Sequence, residues 1–180
     1  MSKEADLIQR AYRLDGQALA EIYDTHSDAI YRYAMRLLGD VDTAEECVSE
    51  TFTRFLNALH RKKGPREYLQ AYLFRIAHNW ITDYYRRAAP DTQPIDDGLA
   101  LASADNPALE AFQNMQMAHT RAALAQLTPD QREVISLKFF EGWDNAEIAA
   151  SVHKPIGAVK SLQHRGLAAL KRILLDKDDE

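Results

Sequence analysis

Two clusters of side chains in this sequence are equipped to hold nucleic acid. The first is Asn79, Asp83, Tyr84, Tyr85, Arg86 and Arg87. Asn79 and Asp83 are one helical turn apart, so they can offer polar contacts to a base edge side by side. Arg86 and Arg87 can hold phosphates. Stacking a base on an aromatic ring contributes about 1–3 kcal/mol, and unstacking a base costs on the order of a few kcal/mol. One captured base therefore nearly offsets one flip. The Tyr84–Tyr85 pair can equally be core packing; of the two, Tyr85 is counted with the DNA-facing set. Trp80 falls on the apolar side of the same pattern and is expected in the core.

The second cluster is Lys160, Ser161, His164, Arg165 and Lys171, one face of a helical pattern whose other face is Val159, Leu162, Gly166, Leu170 and Ile173. Just upstream, Asp144 and Glu147 form a capping box, and Ile148, Ala149 and Val152 repeat at helical spacing. Pro155 cannot continue that helix, and it pushes Lys154 out of the α region. Two short helices meeting at a tight turn, the second with a basic outer face, make a helix-turn-helix whose second helix enters the major groove. A helical hairpin with solvated charges is the plainer alternative. Small Ala149 and apolar Val159, placed where the helices must touch, count against it.

A third face is acidic and hydroxylic: Glu46, Ser49, Glu50 and Thr53. Taken alone, these residues are the solvated side of an amphipathic helix. No phosphate-binding loop, dinucleotide fingerprint or nucleophile with its base is present, so no enzymatic activity is expected. The six histidines are scattered and lack a cysteine partner, so neither a metal site nor a cofactor is expected. Cys47 is the sole cysteine and reads as a packed, reduced thiol.

The 180 residues carry a net charge of −5, which argues against a protein that coats nucleic acid indiscriminately. The charge is uneven. Arg54 to Arg87 is mostly basic, whereas Ala88 to Thr120 contains no Lys or Arg. With no signal peptide and no membrane-length apolar run, a cytoplasmic protein without membrane insertion is expected.

Apolar spacing is helical throughout, so the expected fold is all-α. Residues 4–24 read as helix with an interruption at Asp15-Gly16. Thr25 or Ser27 is expected to cap a helix ending at Gly39. Asp42 and Glu45 are expected to form a capping box for a helix through Leu59. Pro65 is expected to start the next, with Leu69, Leu73, Ile76, Ala77, Trp80 and Ile81 inward. Residues 89–107 contain three prolines and several aspartates and read as a flexible acidic linker. Thr128-Pro129-Asp130-Gln131 is a strong helix start. The expected plan is two small helical bundles, 10–88 and 108–175, the second containing the helix-turn-helix.

Four segments carry a family resemblance: YRYAMRLLGDVDTAEECVSETFTRFLNAL, YLFRIAHNWITDYYRR, LTPDQREVISLKFFEG and the helix-turn-helix. In order and spacing the chain resembles the extracytoplasmic-function (ECF) sigma factors of bacterial RNA polymerase. The resemblance implies a region-2-like first bundle that grips the core polymerase clamp through Glu46, Ser49, Glu50 and Thr53. It implies that Asn79, Asp83, Tyr85, Arg86 and Arg87 melt the −10 element. It implies a region-4-like second bundle that touches the polymerase flap and reads −35 duplex through Lys160, Ser161, His164, Arg165 and Lys171. An anti-sigma factor is an implied partner. The chain departs from the family at three positions of the helix-turn-helix: His153 where Gly is usual, Ala158 where Thr is usual, and Leu162 where Arg is frequent. The competing reading is a stand-alone helix-turn-helix regulator that binds duplex operators as a dimer; it leaves Tyr84 and Tyr85 unexplained.

Overall fold

The structure is a computed structural model, described for residues 2–88 and 106–175. It is all-α, with no strand among the described residues. The helices are α1 (Lys3–Tyr12), α2 (Gly16–Leu38), α3 (Val41–His60), α4 (Leu69–Ala88), α5 (Pro107–Ala125), α6 (Pro129–Phe139), α7 (Asn145–Val152) and α8 (Ile156–Leu175). None of them is long and apolar enough to cross a membrane. The expected linker, 89–107, lies outside the described residues except for Asn106 and Pro107, which cap and open α5. The expected charged tail, 176–180, also lies outside them.

Three helix starts differ from expectation, each for a local reason. Asp15 caps α2 by accepting from the Gln17 and Ala18 amides at 2.9 and 3.2 Å, and the helix then runs unbroken to Leu38. Thr25 is no cap, because its hydroxyl donates back to the Glu21 carbonyl at 2.7 Å. Asp40, not Asp42, caps α3, accepting from the Thr43 amide at 2.8 Å. Asp42 sits in the first turn, where its charge complements the helix dipole. Pro65 is buried in the turn before α4 and does not open it. Tyr68 takes a left-handed backbone (φ 54°), and the helix begins at Leu69, whose amide donates 2.7 Å to the Glu4 carboxylate of α1. A cap supplied from 65 residues away has no local signature.

α4 is central. It packs on α2 and α3 on one side and on α7 on the other. Leu69, Leu73, Phe74, Ala77, Trp80 and Ile81 are all buried within a core that continues into the C-terminal helices through Leu124, Val134, Ile148, Val159 and Leu162. The relation between the two helix sets, left open by the sequence, is a packed seam. The Phe74 and Trp143 rings lie 5.0 Å apart, centroid to centroid, and Ser151 Oγ donates to the Ala71 carbonyl at 3.3 Å. Arg36 meets Glu141 at 2.7 Å with its guanidinium 4.7 Å above the Phe140 ring. Gly39 (φ 74°) closes α2, and the Arg121 guanidinium of α5 covers it so closely that a Cβ there would fall 2.1 Å from Arg121 Cζ. The left-handed backbone favours glycine, whereas the arginine end could swing aside.

Candidate nucleic-acid interface

The helix-turn-helix forms as its residues dictate. Asp144 accepts from the Ala146 and Glu147 amides at 2.8 Å each, and the Glu147 carboxylate accepts from the Asp144 amide at 2.8 Å. His153 closes α7 in the left-handed region (φ 53°, ψ 43°). It does so without glycine, consistent with the tolerance of His for that conformation. Ile148, Val152, Val159 and Leu162 are buried between α7 and α8. Gly166 lets α8 approach α6, because a Cβ there would lie 2.8 Å from Ile135 Cγ1. Leu162, where the family often has Arg, therefore serves packing. Lys160, Ser161, His164, Arg165 and Lys171 are all exposed. Ser161 Oγ donates to the Gly157 carbonyl at 3.0 Å, and Arg165 Nε to the Ser161 carbonyl at 3.4 Å, so both lie against their own helix. One contact had no sequence signal: Gln163 donates to Asn145 Oδ1 at 2.7 Å and locks the angle between the two helices.

The end of α4 is more divided. Asn79, Arg86 and Arg87 are exposed, and half-buried Asp83 pairs with Arg86. Trp80 is buried, and half-buried Tyr84 stacks on it with ring centroids 5.7 Å apart. Tyr85 departs from expectation. Its hydroxyl donates to the Leu37 carbonyl, and the Arg132 guanidinium lies 4.5 Å over its ring. Burial pushes its hydroxyl pKa up to about 12. Tyr85 is thus bound into the seam and not offered to a ligand. Its position next to Tyr84 gave no clue, since adjacent residues on a helix point about 100° apart.

On α3, Glu46, Ser49 and Thr53 are exposed, and Glu50 is half-buried, 3.2 Å from Arg54. The opposite face holds Cys47, Val48, Thr51, Phe52 and Phe55 in the core. Burial pushes the Cys47 thiol up to about 12, so it stays protonated. Glu46, Ser49, Glu50 and Thr53 thus form one continuous outward face.

The seam contains ionisable groups that sequence reasoning missed. Glu133, almost wholly buried, pairs with Arg75 across the seam. Burial raises its carboxyl to about 7, against the pull of Arg75 and Lys154 and helped by Asp130. His78 lies between the Tyr33 hydroxyl, 2.9 Å from Nδ1, and the Pro129 carbonyl, 3.1 Å from Nε2. A neutral imidazole protonated on Nε2 satisfies both partners. Burial, with Arg132 and Arg75 nearby, pushes its pKa down to about 3. Nothing local marks these residues, because each looks like an ordinary charge on an amphipathic helix.

Comparison with known proteins bears on both interfaces. The Sigma-70 region 2 family model matches residues 22–90, and the Sigma-70, region 4 model matches residues 120–170. The ECF RNA polymerase sigma factor SigL of Mycobacterium tuberculosis is 33% identical over 172 residues, covering 90% of this chain and 95% of SigL. The chain belongs to the ECF sigma factors.

In this ECF sigma factor, α3 and α4 fall inside the region 2 match, and α6, α7 and most of α8 inside the region 4 match. The ECF sigma factor BldN of Streptomyces coelicolor is 31% identical over 176 residues; the alignment covers 95% of this chain and 66% of BldN. Among solved structures, CnrH in complex with the cytosolic domain of CnrY matches at a TM-score of 0.72 and 24% identity, covering 98% of this chain and 99% of that one, a likeness of fold. The sigma factor RpoE in complex with the anti-sigma factor NepR from Bartonella quintana matches at 0.56 and 25% identity, covering 88% and 95%.

Proposed function

We propose that this chain binds core RNA polymerase and directs promoter-specific initiation, with a division of labour between α4 and α8. The observation that carries the reading is the pair of Sigma-70 matches in one chain, each coinciding with an exposed polar and basic face. Lys160, Ser161, His164, Arg165 and Lys171 read −35 duplex from the major groove, where Arg and Lys recognise guanine and phosphate. Asn79, Asp83, Arg86 and Arg87 hold the opened −10 strand. With Tyr85 engaged in the seam, Tyr84 is the ring left to meet a base. Glu46, Ser49, Glu50 and Thr53 dock on the polymerase clamp. The chain works in the cytoplasm, where polymerase and promoter are found. An anti-sigma factor is a further partner, as NepR is for RpoE.

Run-off transcription on templates with a randomised upstream region tests this reading. Core polymerase plus this chain should yield transcripts enriched in one −35 and −10 pair, and neither component alone should do so. DNA binding by the chain alone, with no transcripts when core is added, would contradict it.

A further inference from the structure

Between the outer faces of α3 and α4 lies an open groove of about 410 Å³ lined by Arg54, Asp83, Arg86 and Arg87. Three of these came from the α4 pattern. Arg54 did not, because on α3 it follows the acidic and hydroxyl face and reads as the partner of Glu50. Among the described residues that line it are three guanidiniums and one carboxylate, and with Glu50 beside Arg54 the balance is cationic by one charge. Two of the guanidiniums already have carboxylate partners: Arg54 with Glu50 at 3.2 Å, and Arg86 with Asp83. Arg87 has no ion-pair partner among the described residues.

Arg54 and Glu50 are nearly half exposed, with 45% and 42% of their side-chain areas accessible, and Arg86 is 74% accessible. Exposed pairs of this kind hold weakly, because solvent screens them and two long side chains must be ordered. A phosphate can therefore take either arginine from its carboxylate at little cost. Guanidiniums from two helices line this one groove, and each can offer phosphate oxygens a bidentate fork that a lysine cannot reproduce.

We infer that Arg54 of α3 completes, with Arg86 and Arg87 of α4, a seat for one backbone phosphate of single-stranded DNA, making Arg54 a DNA contact and not part of the polymerase-docking face. The inference rests on the single-strand role proposed above for α4. It places the path of the strand across α4 and onto α3, next to the face assigned to the clamp. A phosphate seat contributes affinity without sequence preference, so Arg54 anchors the strand while Asn79 and Asp83 contact its bases.

The test is binding of a fluorescein-labelled dT12 strand to the core–sigma holoenzyme, titrated with salt and corrected for core alone. Each phosphate contact on a single strand contributes about 0.7 to the slope of log K against log salt. Arg54→Ala should lower the slope by about that amount while core affinity, measured separately, stays at the parent value. Arg54→Lys should restore the slope, which counts charge, but recover only part of the affinity, which needs the fork. An unchanged slope in Arg54→Ala overturns the inference, and so does a loss of core affinity, which would assign Arg54 to the clamp face. An Asn79→Ala/Asp83→Ala/Arg86→Ala variant keeps the two claims separate. If it binds dT12 as the parent does, the single-strand role of α4 fails; if it binds weakly while Arg54→Ala matches the parent, only the Arg54 assignment fails.

Discussion

α4 and α8 are matched in outline and opposite in setting. Each has 20 residues and arginine in its last turn, yet α4 buries eight of its residues and α8 only three. α8 lies on the surface, held along one edge by α6 and α7, and its whole basic face is exposed. α4 is clamped between the N-terminal helices and the seam, and toward its C-terminal end Asn79, Arg86 and Arg87 are exposed while Asp83 and Tyr84 reach solvent in part. The contrast fits the two tasks assigned to them. A duplex presents its groove edges ready-made, so a reading helix needs only an exposed, well-angled face. Strand opening works against base pairing, so groups that hold the separated strand gain from a scaffold that cannot yield.

The largest expected effect tests how rigidly α4 is braced. Trp80→Ala removes a buried ring from its centre and should cost about 3–5 kcal/mol. Leu167→Ala, at a 45% exposed position on α8, should stay within about 0.5 kcal/mol of the parent. Urea unfolding measures both. Similar losses at the two sites would erase the contrast.

The next effect concerns the seam and has a sign on each side. The Glu133 carboxyl is raised from 4.5 to about 7, so its contribution is fully present below 4.5 and is lost as pH rises through 7. His78 is lowered from 6.5 to about 3, so its contribution is present above 6.5 and is lost as pH falls toward 3. Relative to the parent, Glu133→Gln should therefore gain stability as pH rises from 4.5 to 7. His78→Gln should gain as pH falls from 6.5 to 3. The change is on the order of 3 kcal/mol for Glu133 and 5 kcal/mol for His78 over their windows. Parallel profiles for parent and variants, followed by urea unfolding across pH, would show that neither group is held as described.

Smaller and more local effects belong to α8. Arg165→Ala and Lys160→Ala should leave stability unchanged and weaken −35 duplex binding in fluorescence anisotropy. A base contact should cost about 1–3 kcal/mol and relax one position. A phosphate contact should weaken all sequences alike and flatten the salt dependence. Binding equal to the parent in both variants would move the duplex interface off this face.

The same contrast explains how much could be read from the sequence. The α7–α8 unit was legible because its determinants are local: a capping box at Asp144 and Glu147, a break at Pro155 and a continuous apolar stripe. The exposed face of α8 followed from periodicity alone. α4 was legible only in part. Its buried stripe and the position of Trp80 followed from spacing, but its start depends on the distant Glu4, and the fate of Tyr85 depends on Arg132 and the Leu37 carbonyl. The seam groups Arg75, His78 and Glu133 were invisible for the same reason. Long-range partners leave no periodic trace, so the helix engaged on two sides is the one whose exposed residues are hardest to predict.

The central claim is that strand opening resides on α4 and duplex reading on α8. Permanganate reactivity of −10 thymines in open complexes, measured with the Asn79→Ala/Asp83→Ala/Arg86→Ala variant, tests it most directly. Those substitutions spare the buried stripe of Leu73, Ala77 and Trp80, so the variant should fold, bind core polymerase and still protect the −35 duplex. The −10 thymines should lose their reactivity. Parent-level reactivity with the −35 duplex still protected would contradict the claim and take strand opening away from α4.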